Sequence, residues 1–213
     1  MTCEFSLGHY RDLLEAAKAG GYRFAGFDRA PQTGDLILRH DVDLSLDAAL
    51  EMAEVEAEAG AWSTWFLMTR SVFYNLASLE GEDAIARLRA LGGVIAHHAV
   101  WPDVDLDERF EPVVAWHNPE PSYMSDAIPG AQNVMAVPFF EPDHYRSDSN
   151  RRWRHCCPHE ALARADFEWL QVLIHPEIWV YDGATMRETM ESFLAADQAA
   201  GLERLRADRI DLS

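Results

Sequence analysis

The apolar positions of the chain fall into two rhythms, a helical stripe and short continuous runs. Leu7, Tyr10, Leu13, Leu14 and Ala17 recur at helical spacing and predict a helix over 6–19, ended by Gly20 and Gly21. A short strand is expected over 22–27 and a turn over 31–34. Leu36, Ile37 and Leu38 then open an apolar run that ends in charge, with Arg39, His40, Asp41 and Asp43. A helix over 46–59, stopped by Gly60, and a buried strand over 61–68 complete a βαβ unit, which implies neighbouring parallel strands. The rhythm repeats. Residues 83–91 read as helical, Gly92 and Gly93 break them, and strands over 94–98, 113–117 and 169–175 each finish in histidine. The polar stretch 145–154 is expected to be irregular, and 184–200 to form a last amphipathic helix.

With a side-chain period of two, Arg39, Asp41 and Asp43 share one face of the central strand, and the two carboxylates sit roughly 7 Å apart. Ser45 is placed to cap the following helix, and Asp47 suits the positive end of its dipole. Two carboxylates at the end of an inner strand need a cation or hydrogen-bond donors to offset their burial. Taken singly, the aspartates read as turn and cap residues, and each strand-terminal histidine as a satisfied structural group. Together, two aspartates and three separate histidine-bearing strand ends point to one site. Parallel α/β barrels assemble active sites at the carboxyl ends of their strands. A carboxylate with two imidazoles is an open coordination set for Zn²⁺ and other divalent first-row ions. A further carboxylate can take a proton from water, and a further histidine can protonate a leaving group. That inventory suits metal-assisted hydrolysis of an amide or ester, and equally a metal-dependent lyase or isomerase.

Composition narrows the partners. The 213 residues suffice for one domain over 1–213 with a full core. A net charge of −18 argues against nucleic acid as a partner, because little here would neutralise phosphates. Seventeen of the eighteen basic residues are arginine, which favours fixed, bidentate pairing. Cys3, Cys156 and Cys157 form neither a disulfide framework nor a spaced zinc motif, and the adjacent pair reads as spare thiols. The first residues lack the basic start and apolar centre of a signal peptide, and no apolar run reaches membrane-spanning length. The expectation is a soluble, cytoplasmic protein without a membrane partner.

Five segments occur in an informative order: Arg39 to Asp43, Gly92 to His98, Trp116 to Pro119, Ser147 to Arg154 and Leu173 to Pro176. With the opening Tyr10 to Tyr22 they resemble the polysaccharide deacetylase superfamily, and more closely its "HDVD" branch, over nearly the whole chain. The resemblance implies a distorted (β/α)7 barrel of the NodB-like type. The short segment between His98 and Trp116 leaves one helix of that barrel shortened or missing. The implied chemistry is metal-dependent removal of an N- or O-acetyl group from a sugar. A cytoplasmic enzyme would not meet mature cell-wall polymer, so the expected substrate is a small acetylated sugar, nucleotide sugar or related amide.

Carried over by residue, Asp41 is the general base and Asp43 the first metal ligand. His98 aligns with the family's next ligand, with His97 the second choice, although Val94 and Ala96 replace the usual glutamate and glycine before it. Relatives supply another ligand four residues on, where this chain has Trp101 or Pro102, so His117 is the candidate replacement. His175 matches the general acid, oriented by Asp148 with Arg152 or Arg154. Trp153 is expected as an apolar wall over the substrate, with Trp116 and Asn118 beside it. Trp62, Trp65 and Trp169 are further candidates for sugar stacking, although aromatic residues in strands more often belong to the core. Zinc is the first choice of ion. The missing ligand and shortened loop keep a second expectation open: a barrel that has lost catalysis and serves as a ligand-binding or interaction protein.

Overall fold

The computed structural model describes residues 3–210. Helix α1, Leu7–Ala19, starts where the Ser6 hydroxyl accepts the His9 N–H at 3.2 Å. It ends at Gly20, where an added Cβ would lie 2.0 Å from the Leu162 carbonyl oxygen. Strand β1, Arg23–Ala25, is shorter than the apolar pattern implied, and β2, Asp35–Val42, follows it. Helix α2, Leu46–Ala59, is capped by Ser45, which accepts the Ala48 N–H at 3.1 Å, and stops at Gly60 with φ of 67°.

Next come β3, Thr64–Leu67, and α3, Leu79–Ala90. The Ser78 hydroxyl caps α3 at the Gly81 N–H, so the helix begins before the apolar stripe that announced it. Beyond it lie β4, Val94–Ala99; β5, Val113–Trp116; β6, Gln132–Asn133; and β7, Tyr145–Ser147. The chain closes with α4, His159–Ala163; β8, Leu170–Ile174; α5, Pro176–Val180; and α6, Met186–Ala207. Thr185 and Glu188 form a capping box at the start of α6.

All strands pair in parallel in one sheet of order β6-β5-β4-β3-β2-β8-β7. The first half of β2 also pairs with β1, on the edge that β3 takes over further along. The sheet is curled into a half-barrel. Among the described residues β6 and β7 are its two ends and do not pair with each other, so the ring that the resemblance implied stays open. Among those residues, too, the connection from β4 to β5 carries no α-helix, as the short segment before Trp116 foretold.

Every residue of β2 is buried, as a central parallel strand covered on both faces requires. Leu36, Leu38 and Val42 join α1 and α2 in the outer apolar layer, while Ile37 joins Phe66, Ala96 and Ala115 inside the curl. Alternation therefore sends Arg39 and Asp41 to the concave face and His40 outward. His40 is a fastening point between layers. Its Nε2 lies 2.7 Å from Glu56 Oε1, which also accepts from the Tyr10 hydroxyl at 2.5 Å, and Ser63 donates to Oε2 at 2.7 Å. These contacts offset the desolvation of a fully buried carboxylate and tie α1, α2 and β2 together.

Candidate metal centre at the strand ends

The carboxyl ends of β2, β4, β5, β7 and β8 carry Asp41 and Asp43, His98, His117, Asp148 and His175. Asp43 Oδ1 lies 3.0 Å from His98 Nε2 and 3.1 Å from His117 Nδ1, and the two imidazole nitrogens are 3.2 Å apart. Ligands held at about 2.0–2.1 Å around a tetrahedral ion would be separated by about 3.3 Å, so the triangle has nearly the dimensions of one face of such a site.

The proton inventory allows the same reading. His98 Nδ1 donates to the Ala115 carbonyl at 3.0 Å. Nε2 is therefore the ring nitrogen turned to the Asp43 carboxylate, and either its own proton or a cation can lie between the two. The Asn118 amide lies 3.0 Å from His117 Nε2; with its oxygen turned there to accept the Nε2 proton, Nδ1 is free to ligate. Burial alone would raise the pKa of Asp43. Hydrogen bonds from His117 and His98 outweigh it and hold the carboxyl well below the usual range. The same bond to Asp43 raises the pKa of His117.

Beside this triangle, Asp41 is gripped by Arg39, whose Nε and Nη2 donate at 2.7 and 2.6 Å to its two oxygens. Burial pushes the Asp41 pKa up, but the guanidinium wins and keeps it below the ordinary value. Asp41 Oδ2 is 3.7 Å from His98 Nε2, at the border of the triangle. On the neighbouring strand end, His175 Nδ1 is 2.6 Å from Asp148 Oδ1, and the Trp179 indole donates to Asp148 Oδ2 at 2.7 Å. Burial would lower the pKa of His175; the Asp148 charge and hydrogen bond overcome it and lift it to about 10. His175 is thus a cation at neutral pH, close enough to Asp43 for its charge to act there.

Not every expected residue arrives. His97 points out of the curl against Phe110, because adjacent residues of a strand face opposite ways. His98 is the inward one. Arg152 and Arg154 are exposed, and neither side chain reaches Asp148 or His175; Arg154 lies over the Tyr145 ring instead. Asn150 and Arg151, with φ of 58° and 57°, turn the chain so that Arg151 points inward to the Ile178 carbonyl and Thr189. Trp153 packs in the outer apolar layer against Phe5 and donates to Cys3 Sγ, so it is not a wall over Asp43. Trp116 is 3 % exposed and lies on the face of β5 opposite His117, Trp65 stacks on His40, and Trp169 stacks on His144, which makes these rings core rather than platforms.

Periodicity placed Arg39 on the right face without assigning it the bidentate grip. Trp179 was missed because nothing local links it to Asp148. Glu177, also unforeseen, is buried beside His175, and burial lifts its pKa to about 8, so it is largely protonated at neutral pH. No described helix is long and apolar enough to cross a membrane. Compared with protein-family models, with curated proteins and with solved structures, the chain matches none.

Proposed function

We propose that this chain is a metal-dependent hydrolase that removes an acetyl group from an N- or O-acetylated sugar or a related small amide. The observation that carries the reading is the Asp43, His98 and His117 triangle, flanked on one side by an ionised carboxylate and on the other by a cationic imidazole. The residues fit a divalent ion, zinc first, because two imidazole nitrogens and one carboxylate oxygen leave room for water and substrate. When bound, such an ion supplies Lewis acidity, which polarises an acyl carbonyl and lowers the pKa of water.

The chain's own groups divide the proton work. Asp41, kept ionised by Arg39, accepts the proton of the attacking water. His175, kept protonated by Asp148, gives its proton to the departing amine or alkoxide. Asn118 sits beside His117 at the exposed rim. The motif order supports the polysaccharide deacetylase relationship, and the curled parallel sheet is compatible with its distorted barrel of the NodB-like type. One observation favours a second reading, a barrel that has lost catalysis and only binds ligand. Arg39 occupies both oxygens of Asp41, which weakens it as a base.

Release of acetate from a panel of acetylated monosaccharides, nucleotide sugars and simple acetamides separates the two. The hydrolase reading expects turnover that chelator abolishes and added zinc restores. Saturable binding of a panel member without any acetate release would favour the lapsed barrel.

A further inference from the structure

A second group of ligand atoms lies among residues that the strand-end site does not use. The ligand atoms of Cys3, His9 and Cys157 lie within 4.8 Å of one another, with His9 Nε2 at 3.3 Å from Cys157 Sγ. Cys3 precedes α1, His9 stands in its first turn, and Cys157 lies in the loop before α4, so the group joins segments 148 positions apart. All three side chains are half-buried, whereas Cys156 is exposed.

The surroundings fix the geometry. The His9 ring lies parallel to Trp179 at 6.2 Å and meets His159 edge-on at 5.3 Å, and the Trp153 indole donates to Cys3 Sγ at 2.9 Å. With metal–sulfur bonds of about 2.3 Å and metal–nitrogen bonds of about 2.0–2.1 Å, ligand atoms around a tetrahedral ion stand about 3.6–3.8 Å apart. The three groups need to move little to meet that spacing. Two thiolates and an imidazole select thiophilic ions, unlike the oxygen and nitrogen set around Asp43.

We infer that Cys3, His9 and Cys157 bind a thiophilic divalent ion, zinc foremost, as a clamp between the N-terminal segment and the loop that follows Asp148. Ligation removes the thiol protons, so uptake releases protons and strengthens as pH rises. The clamp also braces Trp179, which stacks on His9 and holds Asp148.

Cobalt is the reporting probe, because a thiolate–cobalt charge-transfer band cannot arise from an aspartate and two histidines. Full-length reduced protein titrated with Co²⁺ should develop that band. It should persist in Asp43→Ala, vanish in Cys157→Ser and require more cobalt in His9→Ala. Absence of the band in reduced wild-type protein, or its survival unchanged in Cys157→Ser, would overturn the proposal. A second measurement uses only the wild-type chain, in case the variants fold poorly. Zinc should slow alkylation of Cys3 and Cys157 several-fold and leave Cys156 as reactive as before. Equal labelling of all three thiols with and without zinc contradicts the clamp.

Discussion

Asp41→Asn is expected to slow acetate release by about 10²–10⁴-fold, the usual contribution of a positioned general base. The carboxylate is in place to act and cannot be replaced by an amide, which accepts no proton at neutral pH. Asp41→Ala should also destabilise the fold by about 3–5 kcal/mol, because it strands the fully buried Arg39 guanidinium without its partner. These two losses come apart in Arg39→Met/Asp41→Leu. That pair of apolar side chains should recover most of the stability and none of the activity, since a buried ion pair contributes little net stability over apolar groups of similar size. Denaturant melts and acetate assays on the four proteins make the comparison. Undiminished turnover in Asp41→Asn would remove Asp41 from the mechanism. The pH dependence has a definite sign: the folded pKa of Asp41 is depressed, so the pair's stabilisation is present above about pH 4 and is lost as pH falls through the folded pKa.

The second large effect concerns the opposite proton. His175→Ala should lower the rate by about 10²–10⁴-fold and erase the alkaline limb of the pH–rate profile, which in the wild type reports loss of the imidazolium proton. Asp148→Asn is the more informative change. It removes the charge that raises the His175 pKa to about 10 and leaves the burial that lowers it, so the limb should move to lower pH while His175 remains. Stability follows the same sign. A raised histidine pKa contributes stabilisation that is complete below about pH 6.5 and is lost as pH rises toward about 10, and Asp148→Asn should flatten that slope. An alkaline limb unchanged in both variants would mean that another group donates the proton.

How much of this could be read in the chain depended on whether a residue's partners were set by a local rule. The alternation of Arg39, Asp41 and Asp43 was legible because the strand period alone aims them, and the Ser45 cap because its partner is the next turn. His117 was legible as a strand terminus, although not from the usual spacing of a second ligand. Choosing His98 over His97 needed only the knowledge of which face is concave. Arginines near Asp148 were misjudged because the positive-φ turn at Asn150 and Arg151 redirects the segment, which no composition reveals. Short elements such as β6, α4 and α5 have too few residues to show a period. Cys157 read as a spare thiol because its neighbours, Cys3 and His9, come from the other end of the chain.

The central claim is that Asp43, His98 and His117 hold one divalent ion, and zinc content after dialysis tests it most directly. Relative to its parent, Asp43→Ala should lose about one equivalent of zinc, both in the wild-type background and in Cys157→Ser, whereas His97→Ala should lose none, because His97 faces away from the curl. A folded Asp43→Ala protein that keeps every equivalent its parent held would contradict the account.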